Sequence, residues 1–205
     1  MIDFDRIINQ YVTSKNGMYR RYCDDIIIVI PDKSIEKVYS NHLEFIDKVK
    51  ISIPNLDIND DKTSKFIYNN GIIRGIENTT QDKIDYLGFT FDGKSISLRE
   101  KSLFKYYTRM YKKIKVVNKY SKKYNRKVFR KRLYKLYSHL GANRKKGYGN
   151  FLTYSYRAHA IFNKGNDNKL YKVNIRNQVK NHWIYMNKAL ISHDKIGKDK
   201  KLDDI

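Results

Sequence analysis

A single cysteine, Cys23, excludes an internal disulfide in this 205-residue chain. Its five histidines, His42, His139, His159, His182 and His193, stand too far apart for a local zinc motif. No apolar run approaches the roughly 20 residues that a membrane-spanning helix needs. The polar opening Met1 to Arg6 also lacks the basic-then-apolar order of a signal peptide, so no membrane partner and a cytoplasmic location are expected. Internal repeats and low-complexity stretches are absent. Acidic residues are missing where basic ones are dense: none lies between Lys101 and Ala160, an interval holding 19 Lys or Arg.

That gap organises the composition. The chain carries a formal net charge of +22 and a pI near 9.8, which points to a polyanionic partner such as nucleic acid. Residues 1–100 hold 14 basic against 16 acidic residues, whereas residues 101–205 hold 29 against 5. A solvated helix face ordinarily mixes signs, so the second half reads as a surface shaped for phosphates. With 40% hydrophobic residues the chain can bury a core, as one domain or two small ones.

The densest signal lies near the start. Tyr19-Arg20-Arg21-Tyr22-Cys23 is followed by Asp24-Asp25, then by five β-branched residues and Pro31. The apolar run predicts a buried strand stopped by proline, and Met18 to Cys23 its partner, so that Asp24 and Asp25 sit at a hairpin tip. Paired carboxylates on a rigid element suit a hard divalent cation. Aspartates are also ordinary turn residues, and the acids alone favour a simple hairpin cap; the flanking residues shift the balance.

The rest of the first hundred residues reads as α+β. Phe4, Ile7, Ile8 and Tyr11 mark a helix over Ile2 to Val12, ended by Thr13 to Gly17. Ser34 is the expected N-cap of a second helix, with Ile35, Val38, Tyr39, His42, Leu43, Phe45, Ile46 and Val49 as its apolar stripe. Ile51 to Ile58 alternates loosely around Pro54. Asn59 to Thr63 is a turn, Ser64 to Tyr68 a strand, and Asn69-Asn70-Gly71 a further turn. Ile84 to Phe91 and Ser95 to Leu98 form strands joined at Asp92-Gly93.

From Lys101 the pattern turns helical. Leu103, Tyr106, Tyr107, Met110, Tyr111, Ile114 and Val117 mark one face, with Lys105, Arg109, Lys112, Lys113 and Lys119 largely elsewhere. A second helix is expected from about Arg126 to Leu140, with Phe129, Leu133, Leu136, Tyr137 and Leu140 inward. Third and fourth helices follow over Phe151 to Phe162 and Leu170 to Leu190. Three regions result: residues 1–100, a basic helical domain over 101–192, and a charged tail over 193–205.

Tyr22-Cys23-Asp24-Asp25, then Asn59-Asp60-Asp61-Lys62-Thr63 about 35 residues on, then Tyr86-Leu87-Gly88-Phe89 and a basic helical region, resemble the C-terminal half of a bacterial reverse transcriptase of the retron, group II intron and phage-defence kind. The resemblance covers roughly residues 1–120 by motif. It implies a partial polymerase palm with antiparallel hairpins, followed by an all-helical, basic, thumb-like domain, and the activity of an RNA-directed DNA polymerase. Asp24 and Asp25 would then be the catalytic metal ligands, holding Mg2+ or Mn2+, with Tyr22 beside the primer end. Lys62 would lie near the phosphates of the dNTP, and Leu87, Gly88 and Phe89 would steady the primer. Lys62 is equally an exposed turn lysine, and Leu87 to Phe89 equally an ordinary strand.

Candidate phosphate contacts to RNA template and DNA primer are Lys105, Arg109, Lys112, Lys113, Arg126, Arg130, Lys131, Lys145 and Lys146. A further metal-binding aspartate and a Gly- and Gln-containing block, expected before the hairpin in this family, are not found, and Asp3 and Asp5 are poor substitutes. The expectation is a fragment, split product or internally initiated form, inactive alone and needing a separate N-terminal half. The competing reading is a non-catalytic nucleic-acid-binding protein with a structural Asp-Asp turn. A membrane-surface protein is weaker, because the basic helices carry Tyr and Lys where burial in lipid would want Leu and Phe.

Overall fold

The computed structural model describes residues 2–32, 34–53, 58–59, 62–76, 82–141 and 149–190. They form an α+β arrangement in two compact units that divide after Leu87. Among the described residues, no helix is long and apolar enough to cross a membrane.

In the first unit α1 (Ile2–Ser14) turns its Phe4, Ile8, Tyr11 and Val12 stripe inward. It ends where Asn16 takes a left-handed φ of 55° and the Gly17 N–H donates to the Val12 carbonyl at 2.9 Å. Strands β1 (Met18–Tyr22) and β2 (Asp25–Val29) then pair antiparallel, Met18 opposite Val29 and Tyr22 opposite Asp25. Helix α2 (Ile35–Ser52) adds Val49, and with Tyr19 these residues form one core, against which Ile28, Ile30 and Phe45 pack. A second hairpin joins β3 (Phe66–Asn69) to β4 (Ile72–Gly75). Its turn residues Asn70 and Gly71 have φ of 48° and 78°, as a two-residue turn matched to strand twist requires. The unit ends with β5 (Ile84–Tyr86).

The second unit opens with β6 (Phe89–Phe91) and β7 (Ser95–Leu98), an antiparallel pair. Asp92 caps the turn between them, its Oδ1 accepting from the Lys94 and Ser95 N–H groups at 2.9 and 2.6 Å. The reversal therefore lies at Gly93-Lys94, one residue later than the sequence suggested, with Gly93 at φ 92°. Helices α3 (Glu100–Lys123), α4 (Arg130–Tyr137) and α5 (Phe151–Lys164) follow, with a 3-10 turn over His139–Gly141. The short β8 (Lys172–Val173) runs parallel to β7, and α6 (Ile175–Val179) and α7 (His182–Ala189) close the unit.

Two apolar clusters hold this unit, one around Leu98, Tyr106, Leu152, Ile175 and Val179 and one around Met110, Ile114, Val117, Leu133 and Met186. Buried tyrosines find backbone partners. Tyr106 Oη donates to the Tyr137 carbonyl at 2.8 Å, and burial raises its pKa. The Gln178 amide meets both backbone groups of Leu98, accepting at 2.7 Å and donating at 3.1 Å, as a neighbouring strand would.

Several expectations are corrected. The strand after the acids is not buried: Ile26 and Val29 are exposed and Ile27 and Ile28 half-buried, because a two-stranded sheet here has core on one face. Ser34 precedes α2, but its hydroxyl donates to Glu36 at 3.1 Å and caps no backbone group. Tyr39 and Leu43 are exposed. Residues 54–57 and 193–205 lie outside the described residues. The compact units divide after Leu87, so Phe89, Ile96 and Leu98 share the helices' core, and the region after residue 100, expected to be all helical, includes the short β8.

The helix expected from Arg126 starts at Arg130, leaving Phe129, Leu136 and Leu140 exposed. The chain from Leu170 to Leu190 is broken into β8, α6 and α7. Asn166 initiates that break by donating to the Tyr171 carbonyl at 2.5 Å, while the Lys172 N–H pairs with Lys94 instead of a helical turn.

Gly17 offers a direct test of the first core. A Cβ there would lie 2.6 Å from the Val29 carbonyl oxygen and 2.8 Å from a Val12 methyl. Gly17→Ala is expected to destabilise the protein by about 2 kcal/mol in thermal or urea unfolding, since backbone must shift. Gly165→Ala, whose Cβ would meet nothing nearer than 3.9 Å, is expected to be nearly neutral. Equal effects at the two sites would contradict the close β2–Gly17 packing.

Candidate functional site

Cys23 and Asp24 are the turn between β1 and β2, closed by the Tyr22–Asp25 pair. Cys23 takes a φ of 53°, an uncommon conformation for a residue with a Cβ. Asp24 and Asp25 are exposed, and Tyr22 is 64% exposed beside them. The hairpin thus carries adjacent carboxylates at its tip.

Side-chain alternation along β1 supplies the support. Tyr19 and Arg21 share one face, and both reach Asp5 on α1. The Arg21 guanidinium donates to both Asp5 oxygens, at 2.7 and 2.6 Å, and Tyr19 Oη donates at 2.6 Å. Arg21 Nη1 also donates to the Cys23 carbonyl at 2.8 Å, so one side chain braces both the turn and the helix. The Arg21 and Tyr19 hydrogen bonds hold the Asp5 pKa at about 2, below its ordinary 3.8. Its oxygens are already engaged. Asp3 pairs with Arg6 at 2.9 Å, so neither early acid is placed as a further ligand.

Asp24 and Asp25 present hard oxygen donors on adjacent residues, a donor set that fits Mg2+. Among the described residues, no three His, Cys, Asp or Glu side chains converge. A cation held there would take two protein carboxylates and fill its other positions with water and phosphate oxygens, as Mg2+ commonly does. Tyr86 also lies near enough to respond to the Asp25 charge: burial first, then Asp25, raises its hydroxyl pKa. The strand that carries Tyr86 was legible, but its approach to the acid pair was not.

The other expected residues distribute as follows. Lys62 is exposed, its N–H donating to the Asn59 carbonyl at 3.1 Å. Leu87 and Gly88, at φ 50° and 83°, are the consecutive left-handed residues where the chain passes from one unit to the next. Phe89 is committed to the second core, stacked on Tyr154 at 5.9 Å and edge-on to Phe162 at 5.0 Å. On α3, Lys105, Arg109 and Lys112 are exposed at i, i+4 and i+7, forming one stripe. Lys113 is half-buried. Arg126 and Lys131 are exposed, and Arg130 is half-buried at the start of α4. Lys145 and Lys146 lie outside the described residues.

A cleft of about 390 Å3 lies away from the acid pair, lined by Lys15, Ile30, Pro31, Asp32, Lys37, Ser40, Asn41 and Glu44. Its charges are matched internally, Lys15 with Glu44 at 2.7 Å and Lys37 with Asp32 at 3.7 Å, which leaves little for a ligand.

The Asp5 interactions carry a pH signature. Folding depresses this carboxyl, so its stabilisation is complete above the ordinary value of 3.8 and is lost as pH falls towards about 2. Asp5→Asn is expected to lower stability at neutral pH and to flatten its decline between about pH 4 and pH 2, measured by urea unfolding. An unchanged acid limb would contradict the assignment.

No protein-family model matches the chain, and no curated protein shows significant similarity to it.

Proposed function

We propose that this chain is the catalytic-hairpin and thumb portion of an RNA-directed DNA polymerase, extending a DNA primer on an RNA template. The observation that carries the reading is the Tyr-x-Asp-Asp tip itself: two exposed carboxylates on a braced hairpin, with Tyr22 alongside. The acid-free stretch of the second unit, with the Lys105–Arg109–Lys112 stripe, supports a nucleic-acid partner.

In this reading Asp24 and Asp25 hold divalent cations, which in phosphoryl transfer stabilise the attacking and leaving oxygens. The chain's own contributions are positional. Arg21 and Asp5 fix the hairpin, so the carboxylates need little reorganisation when a primer end arrives. Tyr22 offers an exposed ring beside that end. The basic α3 stripe binds backbone phosphates without reading sequence. Because Asp5 is committed to Arg21 and Tyr19, a further metal carboxylate would come from a separate polymerase half, which is the expected protein partner along with RNA, primer and dNTP.

The basic stripe of the second unit supports equally a second reading, a nucleic-acid-binding protein without catalysis. Primer extension on an RNA template, with the complementary half supplied, separates the two. Asp24→Asn and Asp25→Asn are each expected to reduce incorporation by about 100-fold or more, with primer–template affinity changed less than about twofold. Incorporation that survives both substitutions would overturn the polymerase reading. Primer–template binding insensitive to salt would overturn the electrostatic one.

A further inference from the structure

Between α3 and α4 the chain exposes aromatic rings that neither apolar cluster uses. Tyr120 and Tyr124, one helical turn apart, are 36% and 49% exposed, and Phe129 is 58% exposed. Their rings form a group: Tyr120 lies nearly parallel to Tyr124, 6.1 Å between centroids, and Phe129 meets Tyr120 edge-on at 5.6 Å. Leaving such surface in water forfeits the free energy its burial would bring.

The segment that holds these rings is fixed by backbone hydrogen bonds. The Asn125 N–H donates to the Lys122 carbonyl and the Arg126 N–H to the Ser121 carbonyl, both at 3.2 Å, while the Val128 N–H reaches Ser121 Oγ at 3.4 Å. Phe129 itself sits at φ 56°, uncommon for a bulky residue, and its carbonyl accepts the first bond of α4 from the Leu133 N–H. The ring is thereby displayed at a helix junction when a helical φ would have altered its direction.

The surroundings name the ligand class. Lys123 Nζ lies 5.6 Å over the Tyr124 ring, and Arg126 and Lys127 are exposed beside it. No acidic residue occurs anywhere from Lys101 to Ala160. Flat apolar rings with Lys123, Arg126 and Lys127 as their neighbours in the chain suit a ligand that is planar, apolar on its faces and anionic along its length. Unpaired nucleic acid has that chemistry, whereas duplex hides its base faces.

We propose that Tyr120, Tyr124 and Phe129 form a stacking platform for unpaired bases of a single-stranded nucleic acid, with Lys123, Arg126 and Lys127 meeting its phosphates. The proposal rests on the nucleic-acid reading of the second unit and extends it from phosphates to bases.

Fluorescence anisotropy on the full chain tests it, with labelled oligothymidylate and oligouridylate of about 16 nucleotides and a duplex of equal length. Tyr124→Leu combined with Phe129→Leu is expected to weaken single-strand binding by about tenfold or more. Duplex binding should change less than about twofold, and Tyr124→Phe should bind like the parent. Undiminished single-strand binding by the folded double variant, or equal loss for strand and duplex, would overturn the platform. A parent chain that binds neither, even at low salt, would instead overturn the nucleic-acid reading beneath it. Should the double variant not fold, photo-crosslinking of the parent chain to 5-iodouridine-substituted strand decides: adducts at Tyr120, Tyr124 or Phe129 support the platform, and adducts only elsewhere reject it.

Discussion

The hairpin at the start of the chain depends on Asp5. Two-stranded sheets are marginal in water by themselves, and β1–β2 is paired within the described residues only to itself. It is held from one side by α1, where Asp5 accepts three hydrogen bonds from Arg21 and Tyr19. At its open end, Gly17 lets the Val29 backbone approach. Charge-assisted bonds at one end and close packing at the other fix a turn whose residues make few contacts of their own. Arg21 continues the path to the Cys23 carbonyl, so the positive-φ residue before Asp24 is braced by the same guanidinium.

The second unit solves a different problem. Residues 101–205, the bulk of that unit, carry 29 basic against 5 acidic residues and repel themselves when compact. The unit's cohesion is apolar and aromatic: Met110, Ile114, Val117 and Leu133 are essentially buried, and Tyr106 stacks on Phe151 at 4.7 Å. Burial pushes the Tyr107 hydroxyl up to about 12 and raises that of Tyr106 as well. His182 follows the same logic. Burial lowers its pKa, while Nδ1 bonds to the Val179 carbonyl and Nε2 meets the His139 N–H at 3.3 Å. Most cations of the described residues remain exposed, where counterions and phosphates can reach them.

How legible this was from sequence depended on range. Periodicity gave α1, α3 and α5 because their stripes span several turns, and Asn70-Gly71 gave its turn because both residues tolerate positive φ. The acid pair at a hairpin tip followed from the apolar run and Pro31. What escaped was set by contacts distant in sequence. Nothing local in Leu170 to Leu190 says that Lys172 pairs with β7, or that Gln178 meets Leu98 some 80 residues away. Phe129 looked like a core residue by spacing, but its left-handed backbone removes it from the helical face on which that spacing counts. That Asp5 is a poor further ligand is readable from the sequence, but the physical reason, its engagement by Arg21 and Tyr19, is not.

The proposed polymerase role requires the hairpin tip to bind a divalent cation. Paramagnetic broadening of backbone amide signals by Mn2+, recorded by NMR on the full chain, reads this without requiring turnover. Low Mn2+ is expected to broaden Tyr22 to Ile26 first, excess Mg2+ to reverse the effect, and Asp24→Asn with Asp25→Asn to abolish it. Broadening centred on other acids, or unchanged in the double variant, would contradict it.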